Sequence, residues 1–506
     1  MSSTPTTPIY SMHKYWGKKP SAELQKILEK YSKEGDTVFD PFSGYGGIAI
    51  ESLFLNRNVV ANDLNPVAAF ISKTILNEHV NVQKVEQLFL DIQKQYKKFE
   101  SEWYEYHGAK ILTILRNKDD VPKKVKIKNG KEVQEIILSE NEIDDFIQHE
   151  NKHIITTWYP TDTLITNSRI SAKEGMRICE LFSKRALICQ SYLYSLIDKL
   201  GKSPEKDLLL LAFTANLANC SKLVPPITSR GDMAQGAWMT GFYVGETYLE
   251  NNVFHYFENR VKKAINGKQT YLKKRVEEKV TTTYSIFNED AKKTSLNSNS
   301  VDFVFTDFPY GDTVPYFEQS QLWNSWLRFN VNYDNEIVIS DSPQRNKGSD
   351  SFGIDIRAAI KEIKRVLKFG GYFVFTFHSL CGKEWEAIHN ALASCNFEFV
   401  DCDIMLQKTL PPRQLNRSKT IKGDIVVTYR NSSQSNPCFV DFYETIEDDL
   451  RNRNGEFDTN DIIVIFVKAM LRTSYTKNID FSELAEQYFL FDEKLKKWSI
   501  LITPLI

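Results

Sequence analysis

Residues 37–63 read TVFDPFSGYGGIAIESLFLNRNVVAND, and this stretch decides the fold. Thr37 to Phe42 is short and apolar and runs into a Gly-rich turn, the pattern of a buried strand. Ile48 to Leu55 carries helical spacing, and Asn58 to Ala61 is a second short strand ending at Asp63. Pro66 suits the first turn of a further helix. Strand, turn, helix and strand in this order open a mostly parallel sheet with helices on both faces.

The alternation stops at about Asn81 and resumes at Tyr284. Between them long helical patterns dominate: Val82–Tyr104, Ile170–Leu200, Leu208–Leu217 and Tyr248–Val280. A Lys-rich segment among them holds an Asn129-Gly130 turn flanked by alternating residues, which predicts a β-hairpin. Beyond Tyr284 the strand candidates are Tyr284–Asn288, Val301–Thr306, Gly371–Phe377, Phe397–Met405 and Asp424–Tyr429. Helices are predicted at Ile356–Leu367, closed by Gly370-Gly371, and at Glu384–Cys395. The polar segment Ser340–Phe352 is expected to be a mobile loop. The fold class is therefore α/β, doubly wound and mostly parallel. Its expected parts are a first core segment (1–80), a large mainly helical insertion (81–280), a second core segment (281–431) and a small helical appendage (432–506).

Composition excludes several classes. Hydrophobic content of 42% and charged content of 25% are those of an ordinary globular chain. No apolar run approaches the roughly 20 residues that span a bilayer, and residues 1–16 lack the regions of a secretory signal, so no membrane partner is expected and the expected location is the cytoplasm. Seven scattered cysteines without a C-x-x-C pair, and eight histidines without ligand spacing, argue against disulfides and for no metal. A net charge of −1 gives no global sign of nucleic acid, but such binding needs only a basic face. The basic runs Lys123–Lys128, Arg260–Lys263 and Lys273–Arg275 are read first as solvated faces.

Two constellations carry chemistry. Asp40-Pro41-Phe42-Ser43-Gly44-Tyr45-Gly46-Gly47 lies where a buried strand meets a helix, and its glycines let the backbone approach a ligand closely. It lacks the Gly-Lys-Ser/Thr of a triphosphate loop. Asp63, at the end of the next strand, is placed to accept both ribose hydroxyls of an adenosine cofactor. The second constellation, Val301-Asp302-Phe303-Val304-Phe305-Thr306-Asp307-Phe308-Pro309-Tyr310, sets an acid, a proline and an aromatic at the carboxyl end of a strand. An exocyclic amine is a poor nucleophile because its lone pair is delocalised into the ring. Asp307 and the backbone carbonyl of Phe308 can accept its two N–H bonds and aim the lone pair at a sulfonium methyl, so that proximity and oriented dipoles do the catalysis. Tyr310 would stack on a base flipped out of the duplex, and Pro309 stiffens the turn.

The order of these motifs resembles the amino-methylating DNA methyltransferases, with their D-P-F-x-G-x-G turn and [D/N/S]-P-P-[Y/F/W] loop. More narrowly it is similar to those with a split, Rossmann-like core and a long helical insertion. The resemblance implies S-adenosylmethionine as cofactor and double-stranded DNA as partner, with adenine N6 favoured as the target because an aspartate stands at 307. It further implies that His13, Lys14 and Tyr15, within His13–Pro20, close over the methionine end of the cofactor, and that Asp290 lies in the turn touching the adenine. Phe182-Ser183-Lys184-Arg185 looks like a family stretch of the insertion, and Arg365–Gly371 like its helix-to-strand turn. The one departure is Phe308, which stands where the family has its first proline. The competing expectations are a cytosine-N4 or RNA methyltransferase, or a non-catalytic cofactor- and DNA-binding subunit of a restriction–modification system with a companion endonuclease.

Overall fold

The molecule is built on the sheet that residues 37–63 begin. The computed structural model describes residues 7–378, 382–406, 423–433, 441–451, 456–473 and 481–501. After helix α1 (Ser21–Tyr31) come β1 (Thr37–Asp40), α2 (Gly47–Phe54), β2 (Asn58–Asn62) and α3 (Pro66–Leu76). β1 and β2 pair in parallel from Thr37 opposite Asn58 to Asp40 opposite Ala61. Buried Val38 and Phe39 explain why so short a strand holds: each of its faces is covered.

The insertion comes next. It contains α4 (Val82–Tyr104), strands β3 (Glu105–Tyr106), β4 (Ala109–Asn117), β5 (Pro122–Asn129) and β6 (Glu132–Ile137), and α5 (Glu140–Lys152). Helices α6 (Lys184–Asp198) and α7 (Pro204–Leu217) follow, then β7 (Thr247–Asn251) and α8 (Val253–Glu277). The expected hairpin is β5–β6, turning at Gly130 with φ +59°. The insertion is mainly helical, and β3 to β7 add an antiparallel sheet of their own. Two long helical patterns also break. Ile170–Leu200 becomes a helix only from Lys184, where the Ser183 side chain accepts from the Ala186 amide. In Tyr248–Val280 the first residues join β4 as a strand, and Asn252 caps the helix at the His255 amide.

The chain then returns to the core through β8 (Tyr284–Phe287), β9 (Val301–Asp307), α9 (Tyr316–Trp326), α10 (Ser349–Val366), β10 (Leu367–Phe377), α11 (Gly382–Ser394), β11 (Phe397–Leu406) and β12 (Gly423–Asn431). The seven core strands run in the order β11-β12-β10-β9-β1-β2-β8. All neighbours pair in parallel except β12, which is antiparallel to both β10 and β11. This is the doubly wound α/β sheet, and the order reverses between β1 and β9. Ser340–Phe352 is not a free loop: the buried guanidinium of Arg345 is ion-paired to Glu318 at 2.8 Å and to Glu336, and residues from Ser349 already belong to α10.

Two joints bind the split halves. Lys268 of α8 is buried and donates to the carbonyls of Thr74 (2.8 Å), Ile75 (2.6 Å) and Asn77 (2.9 Å), so the insertion caps the C-terminus of α3. Burial pushes its ammonium down to about 7. In addition, one apolar cluster runs from Ile50 and Ile71 of the core through Tyr96, Ile197 and Phe213 of the insertion to Trp326 of α9. The C-terminal residues are not purely helical either. Helices Phe442–Arg451, Thr459–Arg472 and Phe481–Tyr488 accompany a three-stranded antiparallel sheet, and Phe466 and Phe489 share a core with Phe375 and Ile425. No helix among the described residues is long and apolar enough to cross a membrane.

Candidate active site

Reversal of strand order leaves a crevice beyond the carboxyl ends of β1 and β9, the place where such sheets bind ligands. A cleft of about 980 Å³ opens there, lined by residues of both core halves and of the N-terminal segment. On the β1 side, Gly46 sits at φ +84° as the residue before α2, and a Cβ there would come within 2.9 Å of the Ser72 Cβ. Only glycine lets α2 start so close to α3. Asp40, Phe42 and Gly44 line the cleft, whereas Gly46 shapes the turn from behind. The Asp40 carboxylate accepts from the Thr306 hydroxyl (2.7 Å) and the Phe42 amide (3.2 Å), and burial pushes it up to about 8.

Asp63 lies at the end of β2 and also lines the cleft. Its oxygens accept from the amides of Gly44 (2.8 Å) and Asn65 (2.8 Å), which fix the carboxylate, while burial raises it to about 6. Asp290 joins from the neighbouring strand end: Asn62 exchanges hydrogen bonds with the backbone of Glu289 (3.0 and 2.9 Å), pinning the acidic turn to β2.

Asp307 ends β9 and faces the same cleft. One of its oxygens, Oδ1, is held by three groups: Thr376 Oγ1 (2.6 Å), Tyr310 Oη (2.7 Å) and Lys19 Nζ (3.0 Å). Lys19 is also paired with Asp424 Oδ2 at 2.9 Å and bonded to the Tyr310 hydroxyl. The second oxygen, Oδ2, accepts no hydrogen bond among the described residues; it lies where a Cβ on Gly17 would be 3.2 Å away. Burial raises the Asp307 carboxyl and Asp424 adds to this, while Lys19 draws it back. The Lys19 ammonium resists burial because two carboxylates flank it, and its own pKa is raised.

Some expected residues lie elsewhere. Tyr310 is not a stacking platform: its ring is buried and its hydroxyl belongs to the ion cluster. Phe308 is wholly buried against Phe42, Phe373 and Phe375, so its side chain cannot touch a ligand. An apolar ring in place of proline thus fills a space between turn and sheet. Pro309 does line the cleft. Of the N-terminal trio, Tyr15 lines it, but His13 does not. His13 is buried edge-on to Trp323 and bonded to Thr214 of the insertion (3.1 Å), and burial pushes it down to about 3. Lys14 lies over the Trp238 ring at 4.0 Å. Both tie the N-terminal segment to its neighbours, His13 through Thr214 and Trp323 and Lys14 through Trp238. Arg185 of the family-like stretch is buried with Glu150 at 3.0 Å.

Not singled out from the sequence were Lys19, Thr376, Asp424 and the partners of Tyr15 in an aromatic wall, Trp16 and Tyr316, in which Tyr15 stacks on Tyr316 at 6.2 Å. The only local signal was the Gly17-Lys18-Lys19-Pro20 run, whose charge had no visible partner.

S-adenosylmethionine fits this donor set. Asp63 can accept from ribose hydroxyls, the Gly44 backbone permits close approach, and Ser43 Oγ is a buried polar atom of the cleft with no partner among the described residues. Residues 3–74 match the family model described as DNA methylase. Type II methyltransferase M.MjaII of Methanocaldococcus jannaschii is 26% identical over 94 residues, 19% of this chain and 18% of that protein. The tRNA (guanine(37)-N(1))-methyltransferase of Candida albicans is 40% identical over 72 residues, 14% of this chain and 15% of that one. The chain thus spans less than a fifth of the length of these curated relatives. Among solved structures, the rRNA methyltransferase aviRa of Streptomyces viridochromogenes aligns over 82% of this chain and 86% of its own at 10% identity, with a TM-score of 0.29. Residues 3–74 are thus similar to the DNA methylase family, and the cleft they help to line has a donor set that S-adenosylmethionine fits.

Proposed function

We propose that this protein transfers a methyl group from S-adenosylmethionine to the exocyclic amine of a base in DNA, adenine N6 before cytosine N4. One observation carries the reading: Asp307 enters the cofactor cleft with Oδ1 bound by protein donors and Oδ2 open. The bound cofactor supplies an electrophilic methyl group. Asp307 Oδ2 and the Phe308 carbonyl accept the two amine N–H bonds, so the nitrogen lone pair turns towards that methyl. Asp307 then takes the proton that the amine sheds. Tyr15, Trp16 and Tyr316, lining the same cleft, serve as the wall against which a flipped base stacks. Asp63 holds the ribose and Asp290 the adenine. The N-terminal segment covers the methionine end through Tyr15.

Double-stranded DNA is the proposed partner, and any companion nuclease would be a separate chain. The match to a tRNA methyltransferase makes RNA the second reading. Unmethylated plasmid DNA and, separately, RNA are incubated with protein and cofactor, digested to nucleosides and resolved by mass spectrometry, with Asp307→Ala as control. N6-methyladenine lost in the variant supports the lead; N4-methylcytosine keeps the mechanism and changes the base. Methylated RNA alone transfers the reading to RNA. No product on any substrate, with cofactor still bound, sinks it.

A further inference from the structure

Lys19 comes from a segment before the first strand, yet its ammonium joins an ion cluster in the wall of the cleft. Its side chain and that of Asp424 are 5% and 3% exposed, so this is a buried cation between a buried acid, Asp424, and the partly exposed Asp307. Such a group is costly to desolvate and is retained only with close partners. Here the partners are Asp307 and Asp424, with the Tyr310 hydroxyl on the same ammonium.

The chemistry of Asp307 explains what the cation does. An ionised carboxylate accepts hydrogen bonds and donates none. A protonated one is a weaker acceptor, and with the proton on Oδ2 it would present an O–H to the amine and bind the very lone pair that must attack. Burial pushes Asp307 towards that protonated form, and Asp424 pushes the same way. Thr376 and Tyr310 orient Oδ1 but carry no charge. We propose that Lys19 is a positioning residue of the reaction: it locks Asp307 Oδ1 and keeps the carboxylate charged, so that Oδ2 is left as the acceptor of the target amine. This rests on the methylation reading above.

The groups facing Asp307 are Lys19 from the N-terminal segment, Tyr310 and Tyr316 from the chain after β9, Thr376 from β10 and Asp424 from β12, with Asp40 across the cleft. His378 stands on the far side, 3.7 Å from Asp424 Oδ1. Among the described residues Lys19 is the cation in contact with Asp307, whereas His378 reaches Asp424.

The test uses the full chain carrying Lys19→Met, with two readouts. Infrared difference spectra at neutral pH compare Lys19→Met with Lys19→Met/Asp307→Asn, and wild type with Asp307→Asn. A protonated-carboxyl band is expected in the first pair and not in the second; its absence from the first overturns the proposal whatever the substrate. Single-turnover methylation is then followed across pH. Lys19→Met should be slower by roughly 100-fold at neutral pH, the scale of losing one electrostatic contact at a reacting group. Its rate should climb with pH as Asp307 loses its proton, while cofactor affinity changes less than about threefold and Lys19→Arg recovers part of the neutral rate. A variant within about threefold of wild type with the same pH profile would show Lys19 to be a mere clamp. Should Lys19→Met fail to fold because Asp424 loses its Lys19 ion pair, Lys19→Gln removes the charge while keeping an N–H donor and must show the same carboxyl band. If wild type methylates nothing while the band behaves as stated, the methylation reading fails and the placement of Lys19 stands.

Discussion

Gly17 stands beside the oxygen on which the chemistry turns. It adopts φ +75°, and an added Cβ would sit 3.2 Å from Asp307 Oδ2 and 3.6 Å from the Tyr316 hydroxyl. Gly17→Ala should therefore cut turnover by at least about tenfold while leaving cofactor affinity within about threefold, since a methyl group there competes with the amine for space. Calorimetric titration with the cofactor beside a rate assay separates the two effects. Asp63→Ala should do the reverse first: its carboxylate is the proposed acceptor for ribose, and losing charge-assisted bonds should weaken cofactor binding by about 10- to 100-fold. An unchanged dissociation constant would remove Asp63 from that role. Asp40 gives a pH signature. Its carboxyl titrates near about 3.9 in an unfolded chain and near about 8 in the fold. Folding then takes up a proton between those values, so stability is greatest at the acid end and declines as pH rises across the window. Asp40→Asn should flatten this decline in melting temperature from about pH 4 to about pH 8, though Asp63 and Glu336, also raised by burial, keep part of it. At this scale the sequence placed Asp40, Gly44, Asp63, Asp290 and Asp307 at strand ends, and these residues do line one cleft. Lys19 and Asp424 were invisible, because nothing local in a lysine shows which distant carboxylate it will meet.

Elements were legible where one physical signal dominated. Val301–Asp307, buried at five of its seven positions, could be little but a strand, and α4 spans the residues its periodicity marked. Errors fell where tertiary contacts overrode local pattern. Ser340–Phe352 is polar enough to read as a loop, yet Arg345 carries it inward between Glu318 of α9 and Glu336, and Ser340 bridges Lys347. β7 hid within helical spacing because its partner, β4, is remote in sequence. The Arg345 joint is testable. Arg345→Met would leave two buried carboxylates facing each other, and removing one partner of a buried ion pair costs about 3–5 kcal/mol. A fall in melting temperature, with α9 and its Tyr316 exchanging amide hydrogens faster, is the expected result; a neutral outcome would mean that the loop is not an anchor for the aromatic wall.

The molecule as a whole is one cooperative body across its core and insertion. The apolar cluster passes from α2 and α3 into α6 and α7, and Arg116 binds Glu150 (2.5 Å) and Glu250 (2.6 Å) inside the insertion itself. Calorimetry should therefore give one transition for these parts. A chain lacking residues 81–280 should be insoluble, because the faces carrying Ile71 and Ile75 would lose their cover. Separate transitions and a soluble remnant would show the insertion to be an independent unit. The Lys268 cap has a consequence for synthesis. A ribosome releases β1, the glycine turn and β2 first, but α3 has no cap until α8 appears, and β1 has no second neighbour until β9 does. The growing chain must carry an open-edged strand pair through the whole of the insertion, and the expected result is a dependence on chaperones. Defects in this region would then be felt as lost yield at elevated growth temperature, in protein that is fully active once made.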